Sequence, residues 1–183
     1  MQFNPKVHNR RSIRLQEYDY SQDGFYYITI CTRNRECIFG EILNGEIELS
    51  KIGKIANECW NQIPKHFNNV MLDEMIIMPN HLHGIVIVEN NHCRGLINQT
   101  PTDWILQRDP RLVLGKIIRF YKARTTRLIH KNEIRYFTWQ RNYYEHIIHN
   151  EKELYAIREY IINNPLQWHL DKNYSETTNY FPL

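Results

Sequence analysis

The sequence is poor in the residues and patterns that mark several classes of protein. Its 183 residues include only seven Gly and seven Pro, which excludes a collagen-like or low-complexity chain. None of the four Cys belongs to a Cys-x-x-Cys pair, so a zinc ribbon is disfavoured and free thiols in a cytoplasmic protein are expected. No run of 18 apolar residues occurs, and the first 14 residues lack the apolar core of a signal peptide. These absences predict a globular chain with no membrane segment.

The net charge is also small, at +3, but the basic residues are concentrated. The stretch from residue 107 to 141 holds ten basic residues and two acidic ones. The first 14 residues hold four basic residues and no acidic one. Two basic segments on a nearly neutral chain favour a polyanionic partner, although a solvated helix face and a solvated tail would give the same pattern.

The order of predicted elements indicates an α+β protein. The length suits one domain, for which we predict residues 23–170, preceded by a basic arm at 1–22 and followed by a tail at 171–183. Apolar periodicity, turn residues and helix caps predict the following elements: strand Phe25–Thr32, a hairpin turning at Asn44 and Gly45, helix Ser50–His66, strands Val70–Met78 and His81–Val88, helix Leu112–His130, strand Phe137–Ile148, and a last helix from Asn150 to Asn164.

Without the hairpin and the last helix, this order is βαββαβ, the ferredoxin-like pattern. It predicts an antiparallel sheet with helices packed on it, and a second sheet face that is left for a substrate or another layer. Residues 90–110 contain turn-forming residues and are predicted to form a loop with at most one helical turn.

The sharpest local motif is His81-Leu82-His83 at the start of a predicted strand. Side chains alternate between the two faces of a strand, so the two imidazoles share a face and can hold a divalent cation. A pair of ordinary half-buried histidines remains the alternative. On the last helix, Tyr160 and Asn164 are four residues apart and share a face, where Tyr160 offers a phenol and Asn164 a neutral oxygen ligand for Mg²⁺ or Mn²⁺.

These motifs together resemble a known family. Four segments occur in the same order as in the REP-associated tyrosine transposases. In chain order they are YSQDGFYYITICTRN (20–34), MPNHLHGIV (78–86), WQRNYYEHII (139–148) and REYIINNP (158–165). That family belongs to the single-strand DNA transposases with a His-hydrophobe-His (HUH) motif. The resemblance spans roughly residues 8 to 170.

The resemblance implies a metal-dependent single-stranded DNA endonuclease and strand transferase that acts on hairpin DNA from repetitive palindromic elements. Tyr160 would be the nucleophile and would form a 5′-phosphotyrosine link. His81, His83 and Asn164 would bind Mg²⁺ or Mn²⁺. The protein would be cytoplasmic and nucleoid-associated in a bacterium, would work as a monomer or a homodimer, and would not require a membrane.

The basic residues are candidates for contact with DNA phosphates and unpaired bases. They are Arg10, Arg11, Arg14, Arg33, Lys116, Arg119, Lys122, Arg124, Arg127 and Arg141.

Several alternatives stay open at this point. Tyr144 is a conceivable nucleophile because it would share a strand face with His146. His146 and Gln140 either line the site or hold the strand against the last helix. The protein could be a non-catalytic or domesticated hairpin-binding module of the same fold, or a metal phosphohydrolase that activates water and does not need Tyr160.

Overall fold

In a computed structural model, the described part of the chain is residues 23–89, 111–132, 134 and 136–174. Six strands and three α-helices lie within these ranges. In chain order they are β1 (Gly24–Cys31), β2 (Gly40–Leu43), β3 (Glu46–Leu49), α1 (Lys51–Asn61), β4 (Val70–Met78), β5 (His81–Val88), α2 (Arg111–Lys131), β6 (Tyr144–Ile148) and α3 (Glu151–Asn163). No helix within these ranges has the length and apolar character needed to cross a bilayer.

Four strands form an antiparallel sheet in the order β4-β5-β1-β6, and β2 and β3 form a separate hairpin. Strand β1 therefore lies between β5 and β6, and β4 is at the edge next to β5, which is the ferredoxin-like arrangement. The predicted α+β fold with helices packed on an antiparallel sheet is confirmed. The hairpin turns at Asn44 and Gly45, which both have a positive φ, as a tight two-residue turn requires.

The two faces of the sheet have different partners. On one face, α1 and α2 enclose the main apolar core, in which Trp60 of α1 meets Tyr121 of α2 edge to face at 5.3 Å. Leu82 of β5 points into this core. On the other face, Ile161 of α3 packs with Tyr27 and other apolar side chains in a smaller cluster. The face that the sequence leaves for a substrate or another layer is thus partly covered by α3, next to the two histidines.

The predicted helix Ser50–His66 is too long. Ser50 does cap α1, because its hydroxyl accepts a hydrogen bond from the Gly53 N–H at 3.1 Å. However, α1 ends at Asn61 and is followed by a 3₁₀ turn over Ile63–Lys65. Pro64 lies in that turn, and proline disfavours helical geometry in the residue before it, so the α-helix stops upstream.

The predicted strand Phe137–Ile148 is also wrong in its first half, because the strand begins only at Tyr144. Before it, Trp139 makes a single bridge with Thr32, and Asn142 has a left-handed φ of 65°. The Lys122 ammonium donates hydrogen bonds to the carbonyls of Gln140 at 2.7 Å and Asn142 at 2.6 Å. These contacts satisfy carbonyls that a strand would pair with a neighbour. The loop predicted at 90–110 and the arm at 1–22 lie outside the described residues.

Candidate functional site

The site is built around the two histidines at the start of β5. His81 and His83 are both fully buried on the sheet face that α3 covers, as the strand alternation predicts. The Nδ1–H of His81 donates to Asn80 Oδ1 at 2.8 Å. Asn80 presents its oxygen to this ring because its Nδ2 donates to the carbonyls of Arg35 and Asn173. The lone pair of His81 is therefore on Nε2, which faces the site.

His83 is held by two hydroxyl groups of β1. Its Nδ1 lies 2.7 Å from Tyr27 Oη and 2.9 Å from Thr29 Oγ1. Because a hydroxyl can donate or accept, these partners accommodate either tautomer of His83. The Nε2 atoms of His81 and His83 are only 2.9 Å apart. Burial lowers the pKa of both histidines, which are neutral near pH 7 and able to act as ligands.

Helix α3 places Tyr160 and Asn164 opposite these rings. Asn150 caps the helix by accepting from the Glu153 N–H at 2.9 Å, and Pro165 follows its end. Tyr160 Oη is 3.5 Å from His83 Nε2 and donates to Asp171 Oδ2 at 3.0 Å. Burial, with the negative charge of Asp171, raises the pKa of Tyr160 to about 12, so the phenol is protonated near neutrality.

Asp171 is the site residue that the sequence did not indicate. Its Oδ2 accepts from Asn164 Nδ2 at 3.1 Å and lies 3.8 Å from His83 Nε2, and its Oδ1 accepts from the Asn173 N–H at 2.6 Å. Burial by itself raises the pKa of Asp171, but the nearby His83 imidazole and the hydrogen bonds from Asn173 and Asn164 outweigh it and hold that pKa well below its usual range. The carboxylate is therefore charged. No spacing rule joins Asp171 to the motifs, and it lies one residue beyond the domain boundary predicted at 170.

The donor set suits a divalent cation. One ligand atom from each of His81, His83 and Asp171 lies within 4.8 Å of the others. Asn164 is 2% exposed, and its Oδ1 is buried with no hydrogen-bond partner. A buried carbonyl oxygen without a partner is costly, and a cation is one partner that removes this cost. Two imidazoles, a carboxylate and an amide oxygen are ligands that Mn²⁺ accepts, and Mg²⁺ shares the oxygen preference.

A pocket of 520 Å³ opens beside this cluster, between α3 and the sheet. Tyr160, Asn164 and Asp171 line one part of it, and Tyr144 and His146 of β6 line another. The ring of Tyr144 packs under the Lys172 ammonium, 5.0 Å from the ring centre. Gln140 does not line this pocket; it lies along a different groove.

The basic candidates separate into two grooves near the start of β6. Arg119, Lys122 and Arg127 line a groove of 810 Å³ along α2. Arg33 and Arg141 line a second groove of 660 Å³, together with Arg35. Neither groove has an acidic residue among its described lining residues, and Trp139 contributes to both.

Some basic candidates, including Lys122 of the first groove, already have protein partners, and others lie elsewhere. Burial lowers the pKa of Lys122 to about 8, and its ammonium is bound to the two carbonyls named above. Arg124 donates to Gln62 Oε1 of the segment after α1 at 2.6 Å. Lys116 is half-buried on α2 and lines neither groove. Arg10, Arg11 and Arg14 lie outside the described residues.

Comparison with known proteins supplies a family and a fold. No family model matches the chain. An uncharacterised protein of Haemophilus influenzae is 45% identical over 176 residues, which cover 94% of this chain and 97% of that protein. Among solved structures, a REP-associated tyrosine transposase bound to a REP hairpin is 18% identical, with a TM-score of 0.54 over 87% of this chain and 76% of that one. A transposase-like protein from Deinococcus radiodurans has a TM-score of 0.45 and 15% identity, over 82% of this chain and 95% of that one. The chain thus belongs to the family of the Haemophilus influenzae protein, and its fold is similar to that of a REP-associated tyrosine transposase.

Proposed function

We propose that the protein is a metal-dependent single-stranded DNA endonuclease and strand transferase that acts on hairpin DNA through Tyr160. The observation that carries this proposal is the position of the Tyr160 hydroxyl, 3.5 Å from His83 Nε2 at the edge of a buried group of metal-ligand atoms. A tyrosine placed in this way can be the nucleophile of a phosphodiester transfer. The fold, similar to that of a transposase bound to a REP hairpin, supports the same substrate class.

His81, His83 and Asp171, with Asn164, are the residues that would hold the cation. When bound, Mg²⁺ or Mn²⁺ would polarise the scissile phosphate and stabilise the negative charge that develops on it. Asp171 extends the ligand set of His81, His83 and Asn164 that the resemblance implies, because it adds an anionic ligand. The buried, neutral histidines need no proton removed before they bind.

The protein's own residues supply the nucleophile and orient it. Tyr160 attacks the phosphorus, a bond forms between Oη and phosphorus, and the bond from phosphorus to the 3′-oxygen breaks. The hydrogen bond from Tyr160 Oη to Asp171 Oδ2 orients the phenol, and on attack the phenolic proton passes to water in the open pocket, so Asp171 stays charged. The product is a 5′-phosphotyrosine link and a free 3′-hydroxyl. The link keeps the bond energy, so another 3′-hydroxyl can reverse the step and join strands without ATP.

The two basic grooves supply the contacts for the DNA backbone. Asn142 and Tyr143 line the groove along α2. The next residue, Tyr144, lines the pocket that contains Tyr160, which we call the catalytic pocket. On the other side, Arg35 of the second groove donates to the Lys172 carbonyl at 2.8 Å, and Lys172 lines the catalytic pocket. The grooves therefore lie next to the pocket, where a hairpin stem can be held while its single-stranded end reaches Tyr160.

The first test is formation of a covalent protein–DNA adduct on labelled hairpin oligonucleotides with single-stranded flanks, in Mn²⁺ or Mg²⁺. Wild type is expected to give an adduct on a denaturing gel that a chelator abolishes. Tyr160→Phe removes the nucleophile and should give none, while still binding the hairpin. Tyr155→Phe is the matched control, because Tyr155 is on the same helix but 65% exposed and outside the pocket.

Each alternative gives a different result in this assay. Cleavage that survives Tyr160→Phe without an adduct would replace tyrosine attack with a metal phosphohydrolase that uses water. An adduct that survives Tyr160→Phe and disappears in Tyr144→Phe would move the nucleophile to β6. Hairpin binding by wild type without cleavage, across metals and sequences, would leave a non-catalytic or domesticated binding protein of this fold.

A further inference from the structure

A second cluster of titratable groups lines the catalytic pocket and takes no part in the steps above. His146 Nε2 is 2.6 Å from Glu153 Oε1. The other carboxylate oxygen of Glu153 accepts from the His149 N–H at 2.7 Å. Glu153 is also fixed through its own N–H, which donates to the cap Asn150. The carboxylate is thus held on both oxygens and sets the direction of the imidazole.

His146 lines the same pocket as Tyr160, and the Tyr27 ring lies between them. His146 pairs with Tyr27 across β6 and β1, and the Tyr27 ring contacts the Tyr160 ring edge to face with centres 6.3 Å apart. The His146 side chain is 40% exposed. Its Nδ1 has no hydrogen-bond partner among the described residues. The imidazole therefore has one nitrogen bound to a carboxylate and one available to a ligand in the pocket.

In-line attack by Tyr160 also requires a proton donor for the leaving group, and none of the residues assigned so far supplies that proton. The departing 3′-oxygen is a poor leaving group as an alkoxide and needs a proton. It departs on the side of the phosphorus away from Tyr160 Oη. Among the described residues that line the pocket, His146 is the one with an imidazole side chain. The Lys172 ammonium, which also lines the pocket, packs over the Tyr144 ring. Imidazole is the side chain that most often serves as a general acid or base in enzymes, and here the Glu153 carboxylate fixes its direction.

We propose that His146, oriented by Glu153, is the general acid that protonates the 3′-oxygen during cleavage and the general base that deprotonates the 3′-hydroxyl during rejoining. This assignment rests on the proposed function and deepens it. In cleavage the bond from Tyr160 Oη to phosphorus forms, the bond from phosphorus to the 3′-oxygen breaks, and the His146 proton passes to that oxygen. The phenolic proton passes to water in the open pocket. Rejoining reverses each transfer, so no other reactant is needed. Glu153 is a positioning residue.

The test compares two leaving groups. One hairpin substrate carries the natural 3′-oxygen at the scissile phosphate, and the other carries sulfur at that bridging position. A thiolate leaves without a proton, so the sulfur substrate does not need a general acid. His146→Gln is expected to slow adduct formation on the oxygen substrate about 100-fold or more, and to change the rate on the sulfur substrate by less than about threefold. Glu153→Gln should show the same selectivity with a smaller loss.

The matched control is His149→Gln. This residue hydrogen-bonds to Glu153 through its backbone N–H, which the substitution keeps, and its ring meets the His146 ring edge to face with centres 6.5 Å apart, without a hydrogen bond. Both substrates should therefore react at close to the wild-type rate. Equal losses on both substrates in His146→Gln would mean a structural role and would overturn the assignment. No loss on the oxygen substrate would overturn it as well. These outcomes leave tyrosine attack intact, whereas wild type that forms no adduct with either substrate would overturn the proposed function and this inference together.

Discussion

Hydrogen bonds made by a single residue, Asn80, decide which nitrogen the first histidine presents to the site. Strand alternation predicts that His81 and His83 share a face, and the structure confirms it. The tautomer of His81 depends instead on the Asn80 amide, which is anchored to two backbone carbonyls far away in sequence. No local pattern reveals those partners. Asp171 was missed for the same reason, because its place in the site depends on how the chain turns after α3.

Another side chain that sequence patterns do not single out is Asp73, which forms an ion pair with Arg158 two residues before Tyr160. Arg158 Nε donates to Asp73 Oδ1 at 2.8 Å, and a second guanidinium nitrogen donates to Oδ2. The hydrogen bonds from Arg158 are the largest cause of a lowered pKa for Asp73. The pair joins β4 to the helix that carries the nucleophile.

We predict that Asp73→Asn lowers the free energy of unfolding by about 1–2 kcal/mol at pH 7, in the range for a partly buried charged hydrogen bond that is lost. Because the pKa of Asp73 is lower in the folded than in the unfolded state, the pair stabilises the fold above the ordinary value of 3.8. That contribution disappears as the pH falls through the folded-state pKa. Urea unfolding from pH 7 to pH 3 should therefore show the difference between wild type and Asp73→Asn shrinking at low pH.

Glu74→Gln is the control for this measurement, because Glu74 is the exposed neighbour of Asp73. It should lie within about 0.5 kcal/mol of wild type across the same pH range. A difference for Asp73→Asn that stays constant down to pH 3 would argue that the effect does not arise from the charge.

At the scale of elements, a β-bulge in β4 explains how Asp73 reaches α3. The register runs from Leu72 opposite Val86 to Met75 opposite Gly84, so Asp73 and Glu74 together oppose a single residue of β5. Both Leu72 and Met75 then pack against the main core, although strict alternation would separate them. The sequence predicts the bounds of β4 correctly but not the bulge, because an extra residue leaves no signature in so short an apolar pattern.

The elements that could be predicted are those whose signals are local. The caps at Ser50 and Asn150 and the stop before Pro165 depend on neighbours in sequence, and all three are confirmed. Residues 137–143 have strand-like composition, yet a distant lysine, Lys122, binds their carbonyls and keeps them out of the sheet. Propensity describes what a segment can form alone, and here a tertiary contact overrides it.

Packing between β5 and α1 leads to a prediction about Gly84. A Cβ at this position would lie 2.5 Å from the Trp60 ring, so the glycine lets the fully buried indole sit directly on the strand. We predict that Gly84→Ala lowers the free energy of unfolding by about 1–3 kcal/mol because the ring must shift in a packed core. Thermal unfolding would measure the loss. Trp60→Phe has a smaller ring that vacates this space. The double variant of Gly84→Ala and Trp60→Phe should therefore lose less stability than the sum of the two single losses. Simple additivity of the two losses would contradict the contact.

At the scale of the whole molecule, the two faces of the four-stranded sheet have different roles. One face is sealed by α1 and α2 around the main apolar core, and the other holds the histidines, α3 and the open pocket. The basic grooves lie near the start of β6, the strand at one edge of the sheet. Although the net charge is small, the surface around these grooves therefore carries a concentration of positive charge. This agrees with the charge asymmetry seen in the sequence.

This distribution of charge predicts how hairpin binding depends on salt. Each arginine that neutralises one phosphate should contribute about 0.9 to the slope of log K against log salt concentration. Replacing Arg119 and Arg127 of the α2 groove together by alanine should therefore lower the magnitude of that slope by about 2, measured by fluorescence anisotropy of a labelled hairpin in Tyr160→Phe. Lys54→Ala removes an exposed charge from α1, outside both grooves, and should leave the slope unchanged. If Lys54→Ala reduced the slope by as much per charge, the field of the whole protein would hold the DNA, and the groove would not be its binding surface.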